Sequence, residues 1–503
     1  MSEITVGQLG SILPELILLV GGLLIVLFDT FMGEEGEQGA GFMAISVVFL
    51  LIALIAAVLQ FGVDEVRALP MLTVDKFSSF MKIAIYGAMA LVAIAGGGFM
   101  NKHVAGRGEF WSLFMFVTLG MSFAVSADNL LLIFLSIEFM SITSYLLVGF
   151  LREQRRSTEA GVKYFLYGSV ASSIMLYGMS FLYGATGELN LSAIATALAA
   201  PENNVGTVVM PAMVMILVGL GFKTSLVPFH QWAPDTYDGA PTPITAYLST
   251  ASKTAAFAVM ARVLLTGLSD FAVDWVPVLT GLAILTMTVG NLVALRQSSV
   301  KRMLAYSSIA QAGYMIMGLI AVVSSDQADV TTLGMNGLNG MMLYLFAYLF
   351  TNVGAFMVVM AVEQAHGDSD IATFNGLGQR SPWLAWSMFI FLLSLTGIPL
   401  TGGFIGKFYV FGAAVQHRYF LLVLIAGINA AIAAFYYLGV VRAMFFPPGE
   451  QAADYKPSPM RSPVAIQLVV LICVVATIWL GVYPPNVISW ANTASQQLLT
   501  LVF

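Results

Sequence analysis

Fourteen apolar stretches dominate this chain, each about 18–25 residues long, enough for a helix to cross the ~30 Å of hydrocarbon in a bilayer. They centre near residues 21, 51, 88, 118, 139, 172, 218, 254, 284, 311, 346, 397, 432 and 472. Only 10% of the 503 residues are charged, where a soluble protein carries about a quarter. The expected fold is an all-α polytopic membrane protein, which excludes a soluble enzyme and makes the lipid bilayer the first partner. The formal net charge of −6 says little about other partners, and no nucleic acid is expected. The N-terminus "MSEITVGQLGSILPEL" is acidic where a signal peptide is basic, so the first helix is expected to stay in the mature protein.

The cofactor inventory is short. One cysteine, Cys473, permits neither an intrachain disulfide nor an iron–sulfur cluster. The four histidines, His103, His230, His366 and His417, have no metal-ligand spacing. No glycine-rich phosphate loop is present. No cofactor or metal is expected in this chain, and redox or nucleotide chemistry must belong to a partner.

Loop charges orient the spans. If the loop 152–158, with Arg152, Arg155 and Arg156, is cytoplasmic, that side holds twelve basic residues. The opposite side holds four, Arg67, Lys76, Arg262 and Arg418. Cytoplasmic loops carry the excess of lysine and arginine, so both termini are expected on the non-cytoplasmic side.

Five basic residues remain inside spans: Lys82, Lys163, Lys223, Lys253 and Lys407. A charge at the bilayer centre costs roughly 2.5–3.5 kcal/mol on insertion scales, and an intramembrane ionisable residue is by default a functional one. Lys253 lies twelve residues after Pro241, which can open span 8, and so sits ~18 Å deep. Lys223 follows a long apolar run and precedes Pro228, which should kink span 7 and free the Thr224 carbonyl. Lys407 follows "TGIPLTGG", which should break span 12 in the same manner. Lys163 stands one turn after Glu159, so local pairing or snorkelling competes with a functional role. Lys82, close behind Asp75 and Lys76, reads as an interfacial anchor. Among the carboxylates only Glu138, ten residues after Asp128, falls near the midplane. Its alternative is a protonated acid that packs helices. His230, in "PFHQW", is either an interfacial histidine or a proton-entry group. The polar residues of "LAYSSIAQAGYM" suit helix packing, or ordered water between charges.

The segment "VGLGFKTSLVPF" of span 7 resembles "TGGFIGKFYVF" of span 12. Paired interrupted spans point to inverted repeats. Five is an odd number of helices, so spans 4–8 and 9–13 would be related by inversion. The expected divisions are a three-helix segment, 1–107, repeats at 108–268 and 269–447, and a C-terminal loop and helix, 448–503.

A line of lysines with one carboxylate suits stepwise proton transfer, since a neighbouring carboxylate favours a lysine's charged form and burial disfavours it. Sodium transport fits less well, because its sites favour several carboxylates.

The stretches "GFKTSLVPFHQWAPDTYDGAPTPITAYLSTASK" and "KRMLAYSSIAQAGYM" resemble the antiporter-like subunits of respiratory complex I, over nearly 340 residues. The resemblance implies a proton-translocating membrane-arm subunit of a bacterial NADH:quinone oxidoreductase, in the inner membrane and driven by quinone reduction elsewhere. It implies that Glu138 pairs with Lys223, that Lys163 modulates the pair, that Lys253 is the central lysine, and that Lys407 holds the helix-twelve position. Gln311 stands where relatives often have histidine. FMN, iron–sulfur clusters and quinone would lie in partner subunits. The neighbours would be K-like and M-like subunits, with the lateral helix of an L-like subunit along the flank. A cation/proton antiporter subunit, a membrane subunit of a complex with another electron donor, and a non-conducting scaffold remain as alternatives.

Overall fold

The structure, a computed structural model, describes residues 10–32, 39–63, 66–69, 71–103, 107–200, 206–322, 335–446 and 459–500. The acidic loop "GEEGEQG", apart from Gly39, and Lys456 lie outside them. Thirteen helices are long and apolar enough to cross a membrane. They are α1 (Leu13–Met32), α2 (Gly39–Phe61), α3 (Lys76–His103), α4 (Arg107–Ser126), α5 (Leu130–Val148), α6 (Arg155–Thr186), α7 (Gly206–Thr224) and α8 (Thr242–Gly267), followed by α9 (Ala272–Ala294), α10 (Val300–Ile320), α11 (Gly337–His366), α13 (Phe420–Phe445) and α14 (Val464–Val482). The fourteenth crossing, α12, is two half-helices, Pro382–Thr396 and Gly402–Gln416.

Two features add to the expected all-α bundle. A small antiparallel hairpin, β1 (Val66–Leu69) and β2 (Leu72–Val74), lies between α2 and α3. A further helix, α15 (Pro485–Thr500), follows α14 and packs on α3 and α11.

The helices divide into a buried centre and a rim. In α8 every residue of the membrane window is buried, and in α10 and α11 the share is 94%, against 33–39% in α1, α2, α6, α9, α13 and α14. The rim helices turn Leu, Val, Ile and Phe outward, as lipid or an apolar neighbour requires. Small residues allow the closest approaches. A Cβ on Gly290 of α9 would stand 2.7 Å from the Ala310 nitrogen of α10, and one on Gly313 would stand 2.6 Å from Met287 Cγ.

The loops repeat one device five helices apart. Asn129 caps α5 and bridges Asn190, which follows α6; Ser299 caps α10 and bridges Asp370, which follows α11. The starts of α5 and α10 lie at opposite ends of the bundle, because five crossings separate them.

Three charges sit differently from their reading in the sequence. Lys82 is no interfacial anchor: it is fully buried, with Nζ 2.6 Å from Glu15 of α1. Arg262, expected in a loop, is buried near the end of α8, 2.9 Å from Asp75 at the head of α3. Lys301 likewise lies buried in the first turn of α10, donating to the Ala240 carbonyl at 2.8 Å. Removing one partner of a buried pair typically costs about 3–5 kcal/mol, because the other charge is stranded. The Asp75→Ala substitution is therefore expected to lower the yield of folded, membrane-inserted chain sharply, whereas replacing Asp75 and Arg262 together by Leu and Met should recover much of it. Thermal aggregation of the detergent-extracted chain measures both.

Candidate functional site

Each of the three deep lysines stands where a membrane helix stops being regular. Helix α7 ends one residue after Lys223, because Ser225 adopts a positive φ of 63° and the Leu226 N–H closes onto Gly221 O at 2.8 Å. The helix is terminated there rather than kinked, and Pro228 lies in the connection to the short helix Trp232–Gly239. The connection is pinned by Val227 N–H donating to Thr286 Oγ1 at 2.9 Å and by Trp232 Nε1 donating to Phe222 O at 2.8 Å. Lys223 is 2% exposed. Its ammonium donates to Tyr164 OH at 3.1 Å and lies 5.1–5.6 Å from the rings of Tyr145, Tyr164 and Phe222. Aromatic faces stabilise a cation that has left water.

Glu138 is half-buried on α5, two turns before Tyr145, and one oxygen, Oε1, is enclosed without a hydrogen-bond partner among the described residues. No ion pair of 4 Å or less joins it to Lys223 among those residues.

Helix α8 is broken at Thr250, where φ is −120° and ψ is −78°, and Lys253 lies one turn later. It is 1% exposed and donates to Ser308 of α10 twice, to the carbonyl at 2.6 Å and to Oγ at 2.7 Å. Three residues further along α10, Gln311 donates to Leu395 O at 3.0 Å and to Tyr437 OH at 3.2 Å, and accepts from Tyr344 OH.

Leu395 belongs to the last turn of the first half of α12. Gly397, at φ 92°, ends that half, and Lys407 reaches back from the second half to cap it. Its Nζ donates to Leu395 O at 2.8 Å and Thr396 O at 3.0 Å, over the Tyr314 ring at 4.7 Å. A helix C-terminus carries about half a negative charge, so the broken helix supplies the counter-charge a carboxylate would otherwise provide. Lys407 and Gln311 thus share one acceptor, Leu395 O. The buried polar groups run from Lys253 through Ser308 and Gln311 to Lys407.

Lys163 is placed apart from this line. At the end of the bundle where α6 begins, it pairs with Glu159 at 2.9 Å and Asp235 at 2.8 Å, and Arg302 joins Asp235 at 2.8 Å. With Arg156, Asp238 and Gly239 these line a cavity of about 190 Å³. His230 is half-buried in the connection after α7, and among the described residues no hydrogen bond joins it to a lysine.

Tyr164, Ser308, Gln311 and Asp235 are the working partners that charge counting alone does not single out. For Asp235 a signal existed: it is a carboxylate within the break after α7, in "QWAPDTYDG". Gln311 of α10 hydrogen-bonds through both its amide nitrogen and its amide oxygen.

Comparison with known proteins fits this geometry. The family model described as the membrane domain of NADH:quinone oxidoreductase and Mrp antiporters matches residues 127–433. The NADH-quinone oxidoreductase subunit N of Trichlorobacter lovleyi is 38% identical over 489 residues, covering 97% of each chain. A chain of respiratory complex I from Thermus thermophilus superposes with a TM-score of 0.77 at 30% identity, covering 95% of this chain and 98% of that one. A chain of the membrane-bound sulfane sulfur reductase, an archaeal respiratory membrane complex, superposes at 0.82 with 25% identity, covering 99% and 100%.

Proposed function

Because the chain belongs to the NADH:quinone oxidoreductase/Mrp antiporter family, and within it to subunit N of NADH-quinone oxidoreductase, we propose that protons cross it along Glu138, Lys223, Lys253 and Lys407. It is a proton-translocating membrane-arm subunit and acts as part of that translocase, beside other complex I subunits. The archaeal reductase has the same fold with a different redox task, so the fold alone does not choose the electron donor. The full-length identity to subunit N favours NADH and quinone.

The observation that carries the proton route is the polar line from Lys253 to Lys407 inside the most deeply buried helices of the bundle. A buried ammonium that donates to a neutral carbonyl or hydroxyl can give up its proton without stranding a carboxylate. Each lysine therefore acts as a carrier between neighbours, and Ser308 and Gln311 orient the transfer between Lys253 and Lys407. Glu138 sets the state of Lys223: approach of the carboxylate favours the ammonium, withdrawal favours release. The charged cavity of Lys163, Glu159, Asp235 and Arg302, with His230 nearby in sequence, serves as the cytoplasmic entry, as the excess of basic loop residues at that end supports. Both termini then lie on the non-cytoplasmic side of the bacterial inner membrane. Of the two five-helix units, 108–268 contributes Lys223 at the end of α7 and Lys253 beside the break in α8, and 269–447 contributes Lys407 beside the break in α12. The chain holds no cofactor; FMN, iron–sulfur clusters and quinone lie in other subunits. K-like and M-like subunits flank it, and the outward apolar rim of α5 and α6 suits the lateral helix of an L-like subunit.

A tagged chain, gently extracted from its membrane, is expected to bring with it flavin- and cluster-bearing subunits and NADH:quinone activity. A complex of small hydrophobic subunits with no redox centre would contradict this and indicate a cation antiporter.

A further inference from the structure

A second buried ionic group lies outside the line of lysines, in the N-terminal helices. Glu15 of α1 is 2% exposed and Lys82 of α3 is fully enclosed, and their charged atoms are 2.6 Å apart. Glu15 Oε1 also accepts from Ser122 Oγ of α4 at 2.6 Å, and Ser122 is hydrogen-bonded to Tyr86 OH. The group therefore ties together three helices near one end of the bundle: Glu15 lies in the first turn of α1, Lys82 less than two turns into α3 and Ser122 one turn before the end of α4.

Polar side chains continue from it towards that end. On α3, Asp75, Ser79, Lys82 and Tyr86 recur at the spacing of one helix face; on α4, Ser122 and Ser126 do the same. At the head of this stripe stands the buried Asp75–Arg262 pair. Arg262 lies nine residues, ~14 Å, beyond Lys253 on α8, and α8 packs against both α3 and α4. Glu15 Oε2, Ser79 Oγ and Ser126 Oγ are enclosed without a hydrogen-bond partner among the described residues. Buried polar atoms left without protein partners in one stripe are the setting in which bridging water is held.

Stability does not explain the pair. A buried salt bridge replaced by apolar residues of similar volume is often as stable or more so, whereas an ionisable group within the membrane is a functional one by default. We propose that Glu15 and Lys82 form a further proton-transfer pair of this subunit, holding a proton between the central lysine of α8 and the membrane face at which α1 begins. In the transfer, the Lys82 ammonium gives a proton to the Glu15 carboxylate, leaving a neutral amine and a neutral acid; the acid passes it on to water along Ser79, Ser126 and the Asp75 carboxylate. The amine regains a proton from the interior side. Of the charged or titratable groups around the pair, Tyr86 is hydrogen-bonded to Ser122 beside Glu15, Asp75 stands seven residues before Lys82 and is paired with Arg262, and Asp128 lies at the head of α5.

The inference rests on the chain carrying protons at all, so the test pairs it with Lys253. Intact complex is reconstituted in liposomes, and protons moved per electron delivered to quinone are read with a pH-sensitive dye. Three variants are compared: E15Q/K82M, the conservative E15D, and K253M. The initial rate of proton movement per assembled complex is read beside this ratio, so a slowed step and a lost coupling are both seen in whatever fraction assembles. The expected result is that E15Q/K82M slows coupled proton movement about tenfold, short of the roughly 100-fold or more that loss of an essential acid–base group brings, while E15D retains most of it. Wild-type pumping by E15Q/K82M beside a defective K253M complex would overturn this pair alone and leave it a helix fastener. Wild-type pumping by both would overturn the lysine route as well.

Discussion

Replacing Lys253 by methionine is expected to slow NADH-driven proton translocation about 100-fold, the lower range for loss of an essential acid–base group, with the complex still assembled. The size of the effect follows from the surroundings. Lys253 is 1% exposed, and among the described residues its hydrogen-bond acceptors are the two Ser308 oxygens, with no lysine or carboxylate beside them. Methionine keeps the length and much of the volume of the side chain, so α8 and α10 should still pack. Removing a buried charge that has no counter-charge does not strand a partner ion. The check is the initial rate of acidification in inverted membrane vesicles given NADH, beside the amount of complex seen by native electrophoresis. An alanine would confound the result by leaving a cavity.

Lys223 is expected to show the next largest effect, graded by what is removed. The Lys223→Met substitution takes away the carrier and should lower coupled pumping about tenfold, less than the roughly 100-fold expected where no other group assists. Tyr164→Phe removes only the hydroxyl that accepts from Lys223 at 3.1 Å; a net hydrogen bond of about 0.5–1.5 kcal/mol corresponds to a loss of roughly two- to tenfold. Glu138→Gln keeps the shape of the acid and removes its charge. If Glu138 controls the lysine, the Glu138→Gln and Lys223→Met effects will not add in a double variant, since coupled residues depart from additivity. Additive effects, or a Lys223→Met complex that pumps at the wild-type ratio, would remove the Glu138–Lys223 step from the route.

Much of this was legible in the amino-acid order. Apolar runs located the crossings, including α12, whose two half-helices were announced by "TGIPLTGG". Depth counting placed Lys223, Lys253 and Lys407 in the interior, and all three are buried there. The capping of a helix end by Lys407 was not legible, because the acceptors, Leu395 O and Thr396 O, are backbone atoms exposed only by the break itself. Lys82 was misread for a related reason. It stands six residues, ~9 Å, into α3, a depth from which a free lysine snorkels, and its partner Glu15 comes from a helix 67 residues earlier in the chain. Arg262 was misread in the same way, since Asp75 lies 187 residues away. Hydropathy reports how far a charge sits from an interface, not what another helix brings to meet it. Lys163 is the opposite case: the local partner Glu159 was visible one turn away, while Asp235, which crosses from the break after α7, makes the site a cavity wall rather than a simple surface pair.

The most direct test of the proton route is to record NADH oxidation and proton translocation simultaneously on liposomes holding the Lys253→Met complex. The account predicts that acidification collapses and that the protons moved per electron fall below the wild-type ratio. An assembled Lys253→Met complex that keeps the wild-type ratio at wild-type speed would contradict it, and would leave this chain a scaffold in the membrane arm.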